Sequence, residues 1–495
     1  MALQSAAEQA MQARSIPLPF SQKLGYACGQ VLDGIVQQSL GIFLLFYVTA
    51  VCGVPGALAG FALAAGLVVD AFMDPLIGTA SDGWRSRFGR RLPFMAAALP
   101  LVVILFTLIF SLPRGLSPTA LFVWLTILSV ALRISLSLFI LPYQAVGAEL
   151  SENYAERSSI MTWRWGIGMI GTVAAILVGF GVFFAGPDGL SERGAYMPFA
   201  LTLSVLVVVF SLIAVRAVHA TLPRQHQPVT AEAGLHARVF AELGEVFRNR
   251  SFRVLFASGV LFFAALGTHM ALGLHANTYF WHLAAPQIKI VTLAVFVGLV
   301  LGAPLAGPLL KRLEKRTVLL IGIFGLGVAH SVPAALRLLG LLPLEGAALA
   351  AFISAMVFVG GMLMAAAAIA FASMMADAAD EHEHLFDARR EGLYFAGWAF
   401  ASKAASGIGT LVAGLVLQAI AFPSNSAGHN GAVAAIPEHT ARLLGLFYGP
   451  GAGLLYLGAI VVTLLYTLDS RRHAAIMADL AKRRVQTAEA AEALP

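Results

Sequence analysis

Apolar residues fall into long blocks along this chain, and polar residues collect in the breaks between them. Twelve blocks are long enough to cross a bilayer, near 26–50, 56–79, 92–112, 118–143, 158–184, 195–219, 252–281, 287–310, 317–340, 345–375, 392–421 and 441–468. A span needs about 20 mainly apolar residues. The pattern predicts an all-α membrane protein with twelve transmembrane helices in two pseudo-symmetric six-helix halves. The longest polar break, Ala220 to Ser251, divides the runs six and six. The expected organisation is an N-terminal half over 1–219, a linker over 220–251, a C-terminal half over 252–468 and a charged, Ala-rich tail over 469–495.

The distribution of charge gives this architecture a direction. Only 12% of the 495 residues are charged and 59% are hydrophobic, against roughly 25% charged in soluble domains. Arg14, Lys23, Arg85, Arg87, Arg90, Arg91, Arg157, Arg224, Arg238, Arg248, Arg250, Lys311, Arg312, Lys315, Arg316, Arg389, Arg390 and the tail cations all fall in breaks on one side. The positive-inside rule then places both termini and the linker in the cytoplasm, in a cytoplasmic (inner) membrane. The same distribution accounts for the net charge of +6 without nucleic acid. No basic start and apolar core of a cleavable signal is apparent over Met1–Phe20. Cys28 and Cys52 stand at opposite ends of the first run, about 36 Å apart on a helix, too far for a disulfide.

The halves carry an internal repeat. Gly78–Arg91 follows the second run with Asp82 four residues on and a basic cluster, and Gly307–Arg316 follows the eighth with Lys311 four on and a basic cluster. Glu149 and Glu152 follow the fourth run and precede Arg157, as Asp377 and Asp380 follow the tenth and precede Arg389 and Arg390. Duplicated six-helix halves are a transporter architecture, with the solute site near the midplane.

Ionisable groups inside the runs are costly there and point to function. Asp70 and Asp74 lie four residues apart, on one helical face. Two acids so placed repel unless a cation or proton sits between them. Lys403 lies roughly 18 Å into the eleventh run and needs a counter-charge, with Asp70, Asp74 and Asp33 as the acids available. Arg133 stands at a depth similar to Asp70, placed either to neutralise it or to bind an anionic group of a solute. His269, His275 and His330 are expected to be satisfied structural histidines, and His382-Glu-His384 a solvated loop. Trp163, Trp165, Tyr394 and Trp398 offer faces that stack on sugars, although packing is the commoner role for each. No nucleophile–base set and no metal-ligand spacing argues for an enzyme, and no cofactor is expected beyond a coupling ion.

Four stretches carry a family resemblance: Lys23-Leu-Gly-Tyr26 with Leu45-Phe-Tyr47; Asp70-Ala-Phe-Met-Asp74-Pro75 running to Arg85-Ser-Arg87-Phe-Gly89-Arg90; Leu141-Pro142-Tyr143 with Glu149 and Arg157; and Met375-Ala-Asp377 with Asp380, Arg390-Glu391-Gly392-Leu393-Tyr394 and Lys403. Over its whole length the chain resembles the melibiose permease-like glycoside–pentoside–hexuronide:cation symporters of the major facilitator superfamily. The resemblance implies alternating access driven by a cation gradient, with Asp70 and Asp74 at the coupling cation and Lys403 close by. It also implies solute contacts from Asp33, Arg164 and the stretch around Tyr143 and Gln144, with Trp398 as a stacking candidate. Some animal relatives carry lysolipids, so the family alone leaves the solute open.

Two departures bear on chemistry. Sugar-binding members place an aspartate and a stacking tryptophan where this chain has Ile140 and Gln144. Sodium-using members often place asparagine where this chain has Met73. A thioether is a poor ligand for a hard cation, which favours a proton, while the hydroxyls of Ser135 and Ser137 keep sodium open. The expected activity is cation-coupled symport of a sugar, glycoside or related small polar solute. The alternative is an amphiphilic or anionic solute such as a lysolipid. A monomer suffices for this mechanism. At the cytoplasmic face, Asp82, Arg85, Arg87, Arg90, Arg91, Glu149, Glu152, Arg157, Asp377, Asp380 and Arg390 are expected to form the gate.

Overall fold

The computed structural model describes residues 17–151, 153–186, 188–222, 244–387, 390–423 and 436–492. Arg14, Glu152, Arg224, Arg238, Arg389 and most of the expected linker lie outside these residues. Among the described residues the chain is helical, with eleven helices long and apolar enough to cross a membrane. The twelfth is the first run, divided into α1 (Phe20–Ala27), α2 (Gln30–Ser39) and two wider π turns at Leu40–Leu44 and Tyr47–Val51.

The long helices follow the apolar runs and extend past them wherever no breaker intervenes. They are α3 (Gly56–Gly83), α4 (Leu92–Ile109), α5 (Pro118–Glu149), α6 (Tyr154–Val178), α7 (Arg193–Ala220), α8 (Arg250–His275), α9 (Ala285–Arg312), α10 (Lys315–Leu338), α11 (Gly346–Phe386) and α12 (Glu391–Ala419). Then come α13 (Glu438–Leu446), α14 (Ala452–Thr463) and the tail helix α15 (Ser470–Glu492). Local chemistry explains several starts. Ser117 accepts a hydrogen bond from the Ala120 amide while Pro118 opens α5, and Asn153 accepts from the Ala155 and Glu156 amides ahead of α6.

The chain divides into two compact units. Unit 1 is Met1–Ala233 with Met270–Lys289 and Thr410–Leu444, and unit 2 is Gly234–His269 with Ile290–Gly409 and Gly445–Pro495. In unit 1, α3 packs along α5, α2 along α6, and α4 against α5 and α7. The α3–α5 crossing is close because residue 66 is glycine: a β-carbon there would collide with Ser129. That crossing lies one helical turn before Asp70. In unit 2, α10 packs on α11 and α14 around Phe262, Phe371, Met374, Met375, Tyr394 and Tyr456.

The expectation of a solvated loop at His382-Glu-His384 is corrected. No glycine or proline interrupts the chain between Gly361 and Phe386, so α11 runs on for 41 residues. His382 is buried against Phe386 and Tyr394. The tail helix covers this extension: Ile476 and Leu480 are buried, Arg472 pairs with Glu381 at 3.0 Å, His384 with Asp479 at 3.2 Å and Arg484 with Glu383 at 2.8 Å.

Candidate functional site

Unit 1 gathers most of the predicted intramembrane groups. Asp70 is buried and Asp74 half-buried, one turn apart on α3. Both face Ser137 on α5, whose hydroxyl lies 2.5 Å from Asp70 Oδ1 and 2.7 Å from Asp74 Oδ1. A hydroxyl has one hydrogen to donate. It can satisfy one of the two carboxylates at a time, so both acids converge on a single hydroxyl hydrogen. Each of the two helices also contains a proline. Pro75 cannot donate to the Ala71 carbonyl, nor Pro142 to that of Leu138, which leaves backbone oxygens on both helices without their usual helical partner. Carboxylates and a hydroxyl are oxygen donors of the kind a hard cation takes.

A second polar layer adjoins the first. Arg133 stands four residues before Ser137 on α5, so both side chains share a helix face. Its Nη1 donates to Gln37 Oε1 on α2 at 2.7 Å, and the charges of Asp70 and Asp33 both act on it. Asp33 accepts from Gln30 Nε2 at 2.8 Å. Gln37 was not picked out from the sequence. The signal was a polar stripe on the first run, Gln30, Asp33 and Gln37, at helical spacing.

Two of the stretches that carry the resemblance meet in this unit. Tyr26 and Tyr143 stack with ring centroids 4.7 Å apart. Each hydroxyl donates to the other's carbonyl, at 3.1 Å and 2.9 Å. Gly147 permits this, since a side chain there would occupy the position of the Tyr26 hydroxyl. Tyr143 is therefore enclosed, with Phe139 near its ring. Arg164 is half-buried, and its charge acts on Tyr26. Gln144 is half-buried on α5, and Trp163 and Trp165 are exposed.

Lys403 and Trp398 belong to unit 2. Lys403 is half-buried on α12. Trp398 packs on Phe371 at 4.6 Å and Phe263 at 5.2 Å, as part of that unit's core. The histidines of the runs have partners: His275 Nε2 is 2.8 Å from Thr49 Oγ1, His330 Nδ1 is 3.1 Å from the Tyr456 hydroxyl, and His269 Nδ1 is 3.2 Å from the Tyr448 carbonyl.

The candidate gate residues divide between the units. In unit 1, Arg90 and Arg91 at the start of α4 both pair with Glu149 at the end of α5, Arg91 at 2.8 Å, and Arg91 also reaches Asp82 at 2.8 Å. Lys23 pairs with Glu156 at 3.1 Å, a contact with no counterpart in the sequence-based set. Arg85, Arg87 and Arg157 are exposed. In unit 2, Lys315 at the start of α10 holds Asp377 at 2.7 Å, His473 of the tail lies 3.1 Å from Asp380, and Arg390 is 3.9 Å from Glu245.

Comparison with known proteins places this geometry. The chain is 25% identical over 489 residues to the inner membrane symporter YicJ of Escherichia coli, covering 96% of this chain and 98% of that one. It is 25% identical over 488 residues to the isoprimeverose transporter of Lactiplantibacillus pentosus, covering 95% and 93%. The crystal structure of a D-xylose–proton symporter shares the fold, with a TM-score of 0.59 at 15% identity over 91% of this chain and 98% of that one. The family model described as MFS/sugar transport protein matches residues 25–470. The chain is therefore a multi-pass membrane transporter and no enzyme, and it belongs to the MFS/sugar transport family.

Proposed function

We propose that this protein moves a sugar, glycoside or related small polar solute by symport with a cation held at Asp70, Asp74 and Ser137. The observation that carries the reading is the single Ser137 hydroxyl lying within hydrogen-bond distance of two carboxylates. Two carboxylates converging on one hydroxyl repel each other, and a cation or proton between them relieves that repulsion. With one, the three oxygens close around it and α3 is drawn to α5. Sodium and proton are the candidate ions, and Met73 beside Asp74 favours the proton. Asp33, Arg133, Arg164 and Gln144 supply the polar surface for the solute. Relatives bearing sugar names support the solute class. The arginine-rich cytoplasmic breaks support cytoplasmic termini, and one chain supplies the whole site.

A second reading, an amphiphilic or anionic solute, is favoured by Ile140 and Gln144 in place of sugar-binding side chains and by Arg133 in the polar layer.

The test is thermal stabilisation of purified protein by sugars, glycosides, sugar acids and lysolipids, with and without sodium, at two pH values. Stabilisation by a sugar or glycoside that requires sodium or low pH, and that disappears in Asp70→Asn, is the expected result. Stabilisation by lysolipid alone moves the solute to the second reading. A full response in Asp70→Asn removes the cation site.

A further inference from the structure

Unit 1 draws in two segments from the second half of the sequence. Met270–Lys289, which carries the end of α8, and Thr410–Leu444, which carries the end of α12, belong to it along with the first-half helices. Gly56 at the start of α3 meets Gly414 so closely that a β-carbon on either would collide with the other's carbonyl. Gly41 on the first run leaves room for the Met270 side chain. This seam lies at the far ends of these helices from Lys23 and the Arg85–Arg91 break, which is the outer side if the termini are cytoplasmic. Alternating access requires it to part.

One imidazole is sealed inside the seam. His275 is fully buried, with Phe46 at 5.1 Å and Phe422 at 5.2 Å from its ring. Its Nε2 lies 2.8 Å from Thr49 Oγ1. Thr49 gives its single hydroxyl hydrogen to the Leu45 carbonyl at 2.7 Å. The Thr49 oxygen is therefore the acceptor, Nε2 carries the hydrogen, and Nδ1 keeps its lone pair. Nδ1 has no hydrogen-bond partner among the described residues. The first run brings Thr49 and Phe46 to this ring, and the segment after α12 brings Phe422. Its own helix adds the Ala271 carbonyl one turn back and the phenol of Tyr279 one turn on. No acid or second base among the described residues acts on it. A proton on Nδ1 would find only the Ala271 carbonyl, which α-helical geometry already commits to a backbone amide. Burying that charge is costly.

We propose that His275 is a proton-binding latch of this seam. Neutral, its Nε2–H holds Thr49 and the seam is shut. Nδ1 takes a proton from water when the seam parts, and the resulting imidazolium has two N–H donors that water satisfies and the closed seam does not. An imidazole in water takes up a proton near pH ~6.5. The state that binds the proton better gains on acidification. The ratio of parted to closed protein therefore rises as pH falls below about 6.5, approaching about tenfold per pH unit. The latch is separate from Asp70, Asp74 and Ser137 and stands without the cation reading.

The experiment measures the seam directly. Spin labels at Leu116→Cys and Ala284→Cys, both exposed in unit 1, are placed in full-length protein with Cys28→Ala and Cys52→Ala. Distance distributions are recorded by electron–electron resonance from pH 8 to pH 5, without solute. The parent and Asp70→Asn should both gain a longer distance on acidification. His275→Gln, which keeps a neutral donor for Thr49 and cannot titrate, should stay at the short distance throughout. Thr49→Val, which strands Nε2–H, should show more of the longer distance at every pH while keeping the pH response, and Thr49→Ser should match the parent. A parent protein with no pH response, or the same response in His275→Gln, overturns the latch. A response lost in Asp70→Asn and kept in His275→Gln assigns it to the acids, which refutes the latch and supports the cation site. Should His275→Gln fail to fold, the threonine variants decide: Thr49→Val indistinguishable from Thr49→Ser refutes the latch.

Discussion

Superposing the two internal repeats by sequence sets Gly78 on Gly307 and Glu149 on Asp377. Pro75 then falls on Pro304, so the same proline interrupts α3 and α9. Asp70 and Asp74 fall on Leu299 and Ala303, Ser137 on Ala365, and Arg133 on Gly361. Every polar member of the candidate cation layer has an apolar counterpart in the other repeat. The ion clasp at the end of that helix pair is kept in both: Arg90 and Arg91 hold Glu149 in unit 1, and Lys315 holds Asp377 in unit 2. The difference teaches what each repeat is for. A helix-end ion pair is present in both units, whereas the proposed coupling residues Asp70, Asp74 and Ser137 all lie in unit 1. Unit 2 spends the equivalent positions on close packing, with Gly361 against the Val295 carbonyl and an aromatic core of Phe262, Phe371 and Tyr456.

The largest expected effect breaks this asymmetry at its centre. Asp70→Asn should abolish the cation dependence of solute binding, read as the loss of any sodium- or pH-dependent melting shift. Polar substitutions at Leu299 or Ala303 should leave that dependence in place. Next comes Glu149→Gln. It leaves the buried guanidinium of Arg90, only 7% exposed, without this carboxylate, and Arg91, 6% exposed, with Asp82 as its remaining acid. Breaking a buried pair in this way costs about 3–5 kcal/mol, measurable as a lowered unfolding midpoint. Ser137→Ala should weaken the coupling cation roughly tenfold, as expected for losing a hydrogen bond to a charged group, with the fold intact by circular dichroism. Asp377→Asn is the counterpart of Glu149→Gln and should cost only about 0–1 kcal/mol, because Lys315 is 38% exposed and can turn to water. A loss in Asp377→Asn as large as that in Glu149→Gln would mean that the two clasps are equivalent after all.

Much of this was legible in the residues. The twelve runs were readable because lipid demands unbroken apolar stretches, and Asp70 and Asp74 stood out because charge is expensive there. Ser137 could be named only as one of two hydroxyls, since nothing in a sequence says which serine of α5 faces α3. The close approach at Gly66 settles it. Gln37 was missed because an uncharged amide raises no alarm in an apolar run, although Gln30, Asp33 and Gln37 form a stripe on one face. The His382–His384 segment misled because its charges imitate a loop, while the missing breakers and the later Ile476 and Leu480 of the tail explain a buried helix. Tyr143 and Trp398 were read as solute-facing candidates. In the structure the ring of Tyr143 lies against Tyr26 and that of Trp398 against Phe371, contacts that sequence spacing cannot forecast.

The central claim is that cation coupling resides in unit 1. Proteoliposomes carrying the parent protein, Asp70→Asn or Asp377→Asn, loaded with whichever solute stabilises the protein, test it most directly under an imposed sodium or proton gradient. The account predicts concentrative uptake by the parent and by Asp377→Asn, and only downhill equilibration by Asp70→Asn. Concentrative uptake by Asp70→Asn at the parent's level would contradict it.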